Sequence, residues 1–147
     1  MSKREKFYSE LFPSGEIRWP DGDSGENIAA ELFGAVMFGC VDTNIKDALD
    51  VVAGAATEYA STDHSALQSA LVDLSDSEKE AVSALVKRVA TGILYWMCVK
   101  IDQFPGSDVE ITLIDKSGQR RTIAAPSKRE LRMRYFEWMD SFSDYAE

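Results

Sequence analysis

One stretch of helical apolar spacing, residues 76–102, constrains the fold of this chain more than any other feature. Ser75 and Glu78 lie at its start with the spacing of a capping box, in which two side chains satisfy free backbone N–H groups. Pro105 and Gly106 mark its end, because this pair breaks a helix. The pattern predicts one long helix whose apolar face consists of Val82, Leu85, Val86, Val89, Ile93, Met97 and Ile101, widened by Leu94 and Trp96.

Three other helical patterns precede this one. Asp23 and Glu26 again have cap spacing, and the apolar residues after them predict a central buried helix over about 25–40. A second helix is expected over about 44–59 and a short one over about 63–73. The stripe of the second helix consists of Ile45, Leu49, Val52, Ala56 and Tyr59.

A β-hairpin is predicted over about 108–125. The tetrapeptide Asp-Lys-Ser-Gly at 115–118 suits a type I turn whose glycine adopts a left-handed conformation and forms a bulge. An isolated hairpin is marginal in water, so it must lie against the helices, take a strand from the N-terminal arm or pair with a second subunit. We expect packing on the helices first and pairing of hairpin edges in a dimer second. The turn predicts these cross-strand pairs: Leu113 with Arg121, Ile111 with Ile123, and Val109 with Ala125.

Ser127 and Glu130 form another capping-box spacing, which predicts a last helix to about residue 144. Its aromatic stripe, which includes Tyr135, Trp138 and Phe142, is expected to be core, although such rings beside basic residues could also stack nucleobases. The fold class is therefore α+β and predominantly helical, with about five helices and one antiparallel hairpin before the C-terminal helix.

A chain of 147 residues fits one domain, and we expect residues 1–147 to form it. Residues 1–22 mix aromatic and turn-forming residues without a sustained period. They predict an irregular arm with at most one helical turn, packed on the body through its rings. Residues 23–103 then form a helical acidic part, and residues 107–147 form the hairpin and the last helix.

Charge is divided along the chain. Residues 10–80 carry 15 acidic side chains against three basic ones, whereas residues 116–134 carry seven basic side chains against one acidic. The net charge is −9. Such acidity disfavours nucleic-acid backbones and anionic membranes as partners and suits basic protein surfaces.

The sequence favours a cytoplasmic protein. The basic N-terminal residues are not followed by the apolar region of a signal peptide, so export is not expected. The run from Ile28 to Val41 falls short of the roughly 20 apolar residues of a membrane span and predicts a buried helix instead. Cys40 and Cys98 lie in apolar helical contexts, which predicts core packing, no disulfide and a reducing compartment.

No motif fixes a chemistry. Asp63, His64 and Ser65 are consecutive and cannot point at one another as a catalytic triad, so His64 is interpreted as a surface or cap residue. A single histidine argues against His-rich metal sites. The acidic run 21–26 lacks the ligand positions of a calcium loop, and no phosphate-binding glycine motif occurs. We expect no metal and no cofactor, and a non-enzyme is favoured over an enzyme.

The leading hypothesis is a small acidic protein-binding module that docks on a basic protein surface, as inhibitor, immunity and DNA-mimic proteins do. Acidic surfaces speed the capture of basic targets by electrostatic steering. Its candidate contacts lie on the polar side and at the entrance of the predicted second helix: Asp42, Asp47, Asp50 and Glu58.

A second candidate site is the basic end, where positive side chains at a helix start oppose the preference of the helix dipole. We weigh three explanations: neutralisation by the acidic half of the same chain, binding of an anion or partner, and a subunit interface. The alternative functions are therefore a homo-oligomer, in the simplest case a homodimer, and a small anion-ligand protein or enzyme. The residues concerned are Arg120, Lys128, Arg129 and Arg132.

Overall fold

The structure, a computed structural model, describes residues 2–17, 19, 23–55, 64–103, 110–125 and 130–146. Across these ranges the predicted fold class is confirmed, with five helices and one two-stranded antiparallel sheet before the last helix. In chain order the elements are α1 (Lys3–Leu11), α2 (Asp23–Val52), α3 (His64–Leu71), α4 (Asp76–Asp102), β1 (Ile111–Ile114), β2 (Arg120–Ala124) and α5 (Leu131–Phe142).

The chain divides into two compact units. One unit combines residues 1–40 with residues 94–147, and the other consists of residues 41–93. The first contains α1, the hairpin and α5 with parts of α2 and α4, and the second contains α3 with the remaining parts of α2 and α4. The interpretation of residues 1–147 as a single domain stays a prediction.

The core of the first unit is rich in aromatic rings. The predicted stripe of α5 is confirmed, since Leu131, Tyr135, Trp138 and Phe142 are all buried. Edge-to-face and tilted ring pairs connect α5 to α1 and α2. Their ring centroids lie 4.8 Å apart for Phe7 and Phe142, 5.8 Å for Phe33 and Trp138, and 5.5 Å for Phe38 and Tyr135.

The N-terminal segment contains a helix, so the prediction of an irregular arm is wrong for residues 3–11. A capping box starts α1: the Glu5 amide donates to Ser2 Oγ at 3.2 Å, and the Ser2 amide donates to Glu5 Oε2 at 2.7 Å. The aromatic residues that follow α1 pack inward as expected. Phe12 and Trp19 are buried in one cluster with Ala29 and Leu32.

One continuous helix, α2, replaces the two helices predicted over 25–40 and 44–59. The polar run after Val41 resembles a helix start, but it contains no glycine or proline to break the backbone, and the helix continues through it. The helix ends at Val52 in a Schellman motif. Gly54 has φ +75°, and its amide donates to the Val51 carbonyl at 3.1 Å. Residues 56–59 lie outside the described ranges.

The helix predicted over 76–102 is confirmed as α4, with both ends where the sequence places them. Its capping box forms as predicted. The Glu78 amide donates to Ser75 Oγ at 3.4 Å, and the Ser75 amide donates to Glu78 Oε2 at 2.8 Å. The short helix predicted over 63–73 is confirmed as α3.

The hairpin turn has the predicted form. Gly118 has φ +84°, and its amide donates to the Asp115 carbonyl at 3.0 Å. Leu113 pairs with Arg121 as expected, but a bulge beyond Thr112 pairs Ile111 with Ala124 instead of Ile123, so that part of the predicted register is wrong. Val109 lies outside the described residues.

The hairpin packs on helices, as the first of the two predicted arrangements requires. Leu113 contacts the buried cluster that contains Phe12 and Leu32. At the turn, Asp115 Oδ1 accepts hydrogen bonds from the Ser117 amide, the Ser117 hydroxyl and the Gln119 amide at 2.7 to 2.9 Å. Asp115 Oδ2 accepts one from the Trp19 amide at 3.3 Å. The turn is therefore tied to the N-terminal segment.

The start of α5 does not use the predicted capping box. The helix begins at Leu131, and its N-cap residue Glu130 makes no side-chain cap hydrogen bond. The cap comes from Asp102 at the end of α4, whose Oδ1 and Oδ2 accept hydrogen bonds from the Leu131 and Arg132 amides at 3.2 and 2.9 Å. Ser127, the other residue of the predicted box, lies outside the described residues.

Candidate interaction surface

The four acidic residues predicted to bind a partner do not form one exposed face. Asp42 is buried, with 3% of its surface exposed, which removes it from any docking surface. Asp47 and Asp50 are half-buried on α2, and Asp50 Oδ2 lies 2.7 Å from the Lys46 amine. Glu58 lies outside the described residues, so its role stays a prediction.

The predicted basic site is described only in part. Arg120 and Arg132 are both exposed, whereas Lys128 and Arg129 lie outside the described residues. Arg132 lies in the first turn of α5, where the buried Asp102 carboxylate supplies the negative charge that a helix start favours. The unfavourable placement of positive charge is thus offset by an acid from another helix.

Two neighbouring basic residues pair with acids of the same chain. Arg134 lies 3.5 Å from Glu31 and 3.6 Å from Glu130, and it donates to the Asn27 side chain at 3.0 Å. At the hairpin turn, Lys116 lies 4.0 Å from Glu16. These contacts are of the kind expected if the acidic half of the chain neutralises the basic end.

Glu31 is half-buried, whereas Glu16 and Glu130 are exposed. Burial raises the pKa of its carboxyl group, while the Trp138 indole N–H and the Arg134 guanidinium lower it less. The Trp138 indole nitrogen is buried and lies near the Glu31 carboxylate. Its N–H has no hydrogen-bond partner of good geometry among the described residues. The carboxylate–guanidinium pair is therefore a structural contact between α2 and α5.

Neither cysteine is disulfide-bonded, as expected. Cys98 is buried as predicted, and burial followed by the nearby Asp102 carboxylate raises the pKa of its thiol to about 11. Such a thiol is a poor nucleophile at neutral pH. Cys40 is exposed, so the prediction of core packing for it is wrong; it lies on the outward side of α2.

The described residues contain no group of three or more side chains suited to hold a metal ion. The backbone of α3 begins at His64. One cavity of about 310 Å³ in the second unit offers a single charged group, Lys79, and no carboxylate or thiol. It is lined by Val52, Ala53, Gly54, Gln68, Ser69, Val72 and Lys79.

One side of α4 exposes several large apolar side chains. Large apolar side chains recur there at four-residue and three-residue spacing and remain in water. Their exposed fractions are 60% for Leu85, 51% for Val89, 58% for Ile93 and 60% for Trp96. Val82 is half-buried on the same side. We call Val82, Leu85, Val89, Ile93 and Trp96 the outer face of α4.

Much of the apolar face predicted for α4 is therefore exposed. The buried residues of α4 include Leu94 and Cys98, which lie about 140–180° around the helix from Val89 at 3.6 residues per turn. The buried residues of α4 thus all lie at its C-terminal end, Leu94–Asp102, and residues 76–93 include no buried residue. Sequence periodicity shows apolar residues along the whole helix but does not tell which of them the protein buries.

Opposite charges lie at the two ends of the outer face. Glu78 and Lys100 are both exposed, and each lies within about 20° of Val89 around the helix axis. The hydrogen bonds from the Ser75 hydroxyl and amide lower the pKa of the Glu78 carboxyl group. Only Oε2 accepts these bonds.

Ring contacts hold Trp96 in place. Its ring centroid lies 5.7 Å from that of Tyr95 in an edge-to-face arrangement, and Tyr95 lies 5.2 Å from Tyr135 of α5. Because Tyr135 is buried, Trp96 is attached to the core through two successive ring contacts. The indole is therefore exposed and in contact with one neighbouring ring.

Two helices, Gly25–Val52 and Asp76–Asp102, are long and apolar enough to cross a membrane by length and composition. This is weak support for a membrane location, because core helices of soluble proteins meet the same criterion. The expected cytoplasmic location and the expected absence of membrane binding stay predictions.

Comparison with known proteins finds no matching family, no matching curated protein and no matching solved structure. The function must therefore be argued from the residues themselves.

Proposed function

We propose that this protein is a non-enzymatic interaction protein that self-associates through the outer face of α4. The observation that carries the proposal is the exposure of Leu85, Val89, Ile93 and Trp96 on one side of one helix. Soluble proteins rarely leave a contiguous apolar surface of this kind in water unless it binds something. Removing apolar surface from water would supply the driving force.

A second copy of the chain is the partner that this face fits best. The outer face has an acidic residue, Glu78, at one end and a basic residue, Lys100, at the other. Two copies of the chain can therefore pair these opposite charges with each other. In paired helices, salt bridges between charged residues beside an apolar seam set the choice and orientation of the partner. Homo-oligomers are most often two-fold dimers, in which the same surface meets itself.

Sedimentation velocity across a range of protein concentrations tests the proposal, with Val89→Asp as the disrupting variant. The native chain should dimerise. The variant should dissociate at least about 100-fold more readily, because burying an unpaired charge costs roughly 3–5 kcal/mol, and 1.4 kcal/mol is a factor of ten.

Val36→Asp is the matched control, since Val36 is a similarly exposed valine on α2. It should leave the dimer intact. A native chain that is monomeric at every concentration overturns the proposal, and so does a dimer that Val89→Asp leaves unchanged.

A second candidate function is the docking of a basic protein by the acidic surface. The net charge of −9 supports it, because such a charge speeds the capture of basic partners at low ionic strength. With Asp42 buried, the test uses Asp47→Asn together with Asp50→Asn. The double variant should bind a basic partner more slowly than the native chain at low salt and equally fast at high salt.

A further inference from the structure

Building on the proposed self-association, we infer that the two α4 helices pair antiparallel, with Val89 on the two-fold axis. The residues of the outer face lie along a single continuous helix. Their mutual positions are fixed by helix geometry alone.

The apolar residues of the outer face are arranged symmetrically about Val89. Leu85 and Ile93 lie four residues to either side of it, and Val82 and Trp96 lie seven residues to either side. In an antiparallel pair centred on Val89, each of these residues faces the other member of its pair on the second copy. The smaller Val82 would thus lie opposite the larger Trp96, which favours close packing.

The charged ends obey the same symmetry and decide the direction of pairing. Glu78 and Lys100 each lie 11 residues from Val89, on opposite sides. An antiparallel pair places the Glu78 of each copy beside the Lys100 of the other copy, which gives two such ion pairs in the dimer. A parallel pair would instead place Glu78 beside Glu78 and Lys100 beside Lys100, and like charges at these positions repel.

The contact would extend over a considerable length of helix. Residues 78–100 span about 33 Å at 1.5 Å per residue, and all seven residues concerned lie within about 40° of Val89 around the axis. Helical residues on such a narrow face can all contact one partner helix.

Symmetric cross-linking tests the inference in a Cys40→Ser background, which removes the exposed native thiol. Val89→Cys chains treated with oxidised glutathione should form a covalent dimer, since the two thiols meet at the axis. Leu85→Cys chains alone should cross-link poorly, because each thiol faces Ile93. A mixture of Leu85→Cys and Ile93→Cys chains should give a cross-linked heterodimer.

The alternative geometry gives the opposite pattern. In a parallel pair, Leu85→Cys chains would cross-link with themselves, and the mixture would give no additional heterodimer. That pattern overturns the inference while leaving the proposed self-association in place. Absence of a dimer by sedimentation overturns both.

A charge reversal provides an independent readout. Lys100→Glu should weaken dimerisation about tenfold at low salt, and the double change Glu78→Lys with Lys100→Glu should restore it. Arg88→Glu, an exposed site on α4 about 100° from Val89, is the matched control and should change dimerisation much less. Equal weakening by Lys100→Glu and Arg88→Glu would contradict the paired ends.

A membrane surface is the competing occupant, and flotation distinguishes it. Vesicles of equimolar phosphatidylcholine and phosphatidylglycerol should not carry the native chain. If they carry the native chain and not the Val89→Asp variant, the outer face binds lipid, and the antiparallel dimer is overturned.

Discussion

Gly34 of α2 lies directly against the indole ring of Trp138 of α5. A methyl group added at Gly34 would lie 2.6 Å from Cδ1 of that ring, well inside van der Waals contact. Trp138 is fully buried and also contacts Phe33, so the ring has little room to move. The close approach of α2 and α5 therefore depends on the absence of a side chain at position 34.

Replacing Gly34 with alanine should destabilise the protein by about 1–3 kcal/mol, the usual effect of overpacking a core. Gly39→Ala is the control on the same helix, where the added methyl group would only reach Arg4 at 3.6 Å. That change should be neutral or stabilise by about 0.5–1 kcal/mol, because alanine favours helix. Urea unfolding of both variants measures the difference, and equal stabilities would contradict the close contact.

Asp102 should be required for the start of α5. Asp102→Ala removes both acceptors of the Leu131 and Arg132 amides and leaves buried donors unsatisfied, so a loss of about 1–3 kcal/mol is expected. Asp102→Asn, which keeps one acceptor oxygen, should lose less.

The control for this prediction is Asp140→Ala, since Asp140 is an exposed residue of α5 whose backbone carbonyl, not its side chain, bonds Lys3. It should change the free energy of unfolding by no more than about 0.5 kcal/mol. Amide hydrogen exchange at residues 131 and 132 should accelerate only in the Asp102 variants.

The hairpin turn should weaken in acid through Asp115. Hydrogen bonds from the Ser117 hydroxyl, and then from the amides of Gln119, Trp19 and Ser117, hold the pKa of this carboxyl below its ordinary value. A lowered folded-state pKa contributes stability above the unfolded-state pKa, and that contribution is lost as the pH falls through the folded-state value. Asp115→Asn should therefore reduce the loss of stability between pH 7 and pH 3.

Glu31 should show the opposite sign. Its pKa is raised in the folded state, so its contribution to stability is full below the unfolded-state pKa and declines as the pH rises. Glu31→Gln removes this term, and the variant's stability should rise more steeply between pH 3 and pH 7 than that of the native chain. Urea unfolding at several pH values measures both variants, and slopes that change in the same direction would refute the pair of predictions.

The two cysteines should differ sharply in reactivity. Cys40 is exposed, whereas the Cys98 thiol is buried with a pKa of about 11. A disulfide reagent such as Ellman's reagent at pH 8 should modify one thiol per native chain, and the second only after unfolding. Cys40→Ser should abolish the native reaction, and a fast second reaction in the native state would show that Cys98 is accessible.

Local patterns predicted the parts of the fold that depend on neighbouring residues. The limits of α4 follow from the Ser75 cap and a sustained apolar period, and the turn at 115–118 follows from its own four residues. The same kind of signal was present for α1, where Ser2 and Glu5 have the spacing of a capping box. The aromatic and turn-forming residues around it obscured that signal.

Other features of the site depend on contacts between distant segments. Asp42 lies in a polar run that resembles a helix start, yet α2 continues and buries it. Asp102 caps α5 across 29 residues of chain, a relationship that no local spacing encodes. The bulge at Thr112 likewise depends on how the strands meet, and it moved the partner of Ile111 by one residue.

The sequence by itself determined that residues 76–102 form a helix, because caps and apolar periodicity act within a few residues of one another. It did not determine which apolar residues of that helix are buried, because they recur along its whole length from Val82 to Ile101. The tertiary structure decided this by covering the side of Leu94 and Cys98 and leaving Leu85, Val89 and Ile93 in water. Burial is a property of the whole packed chain, and only the packed chain shows which apolar face remains for a partner.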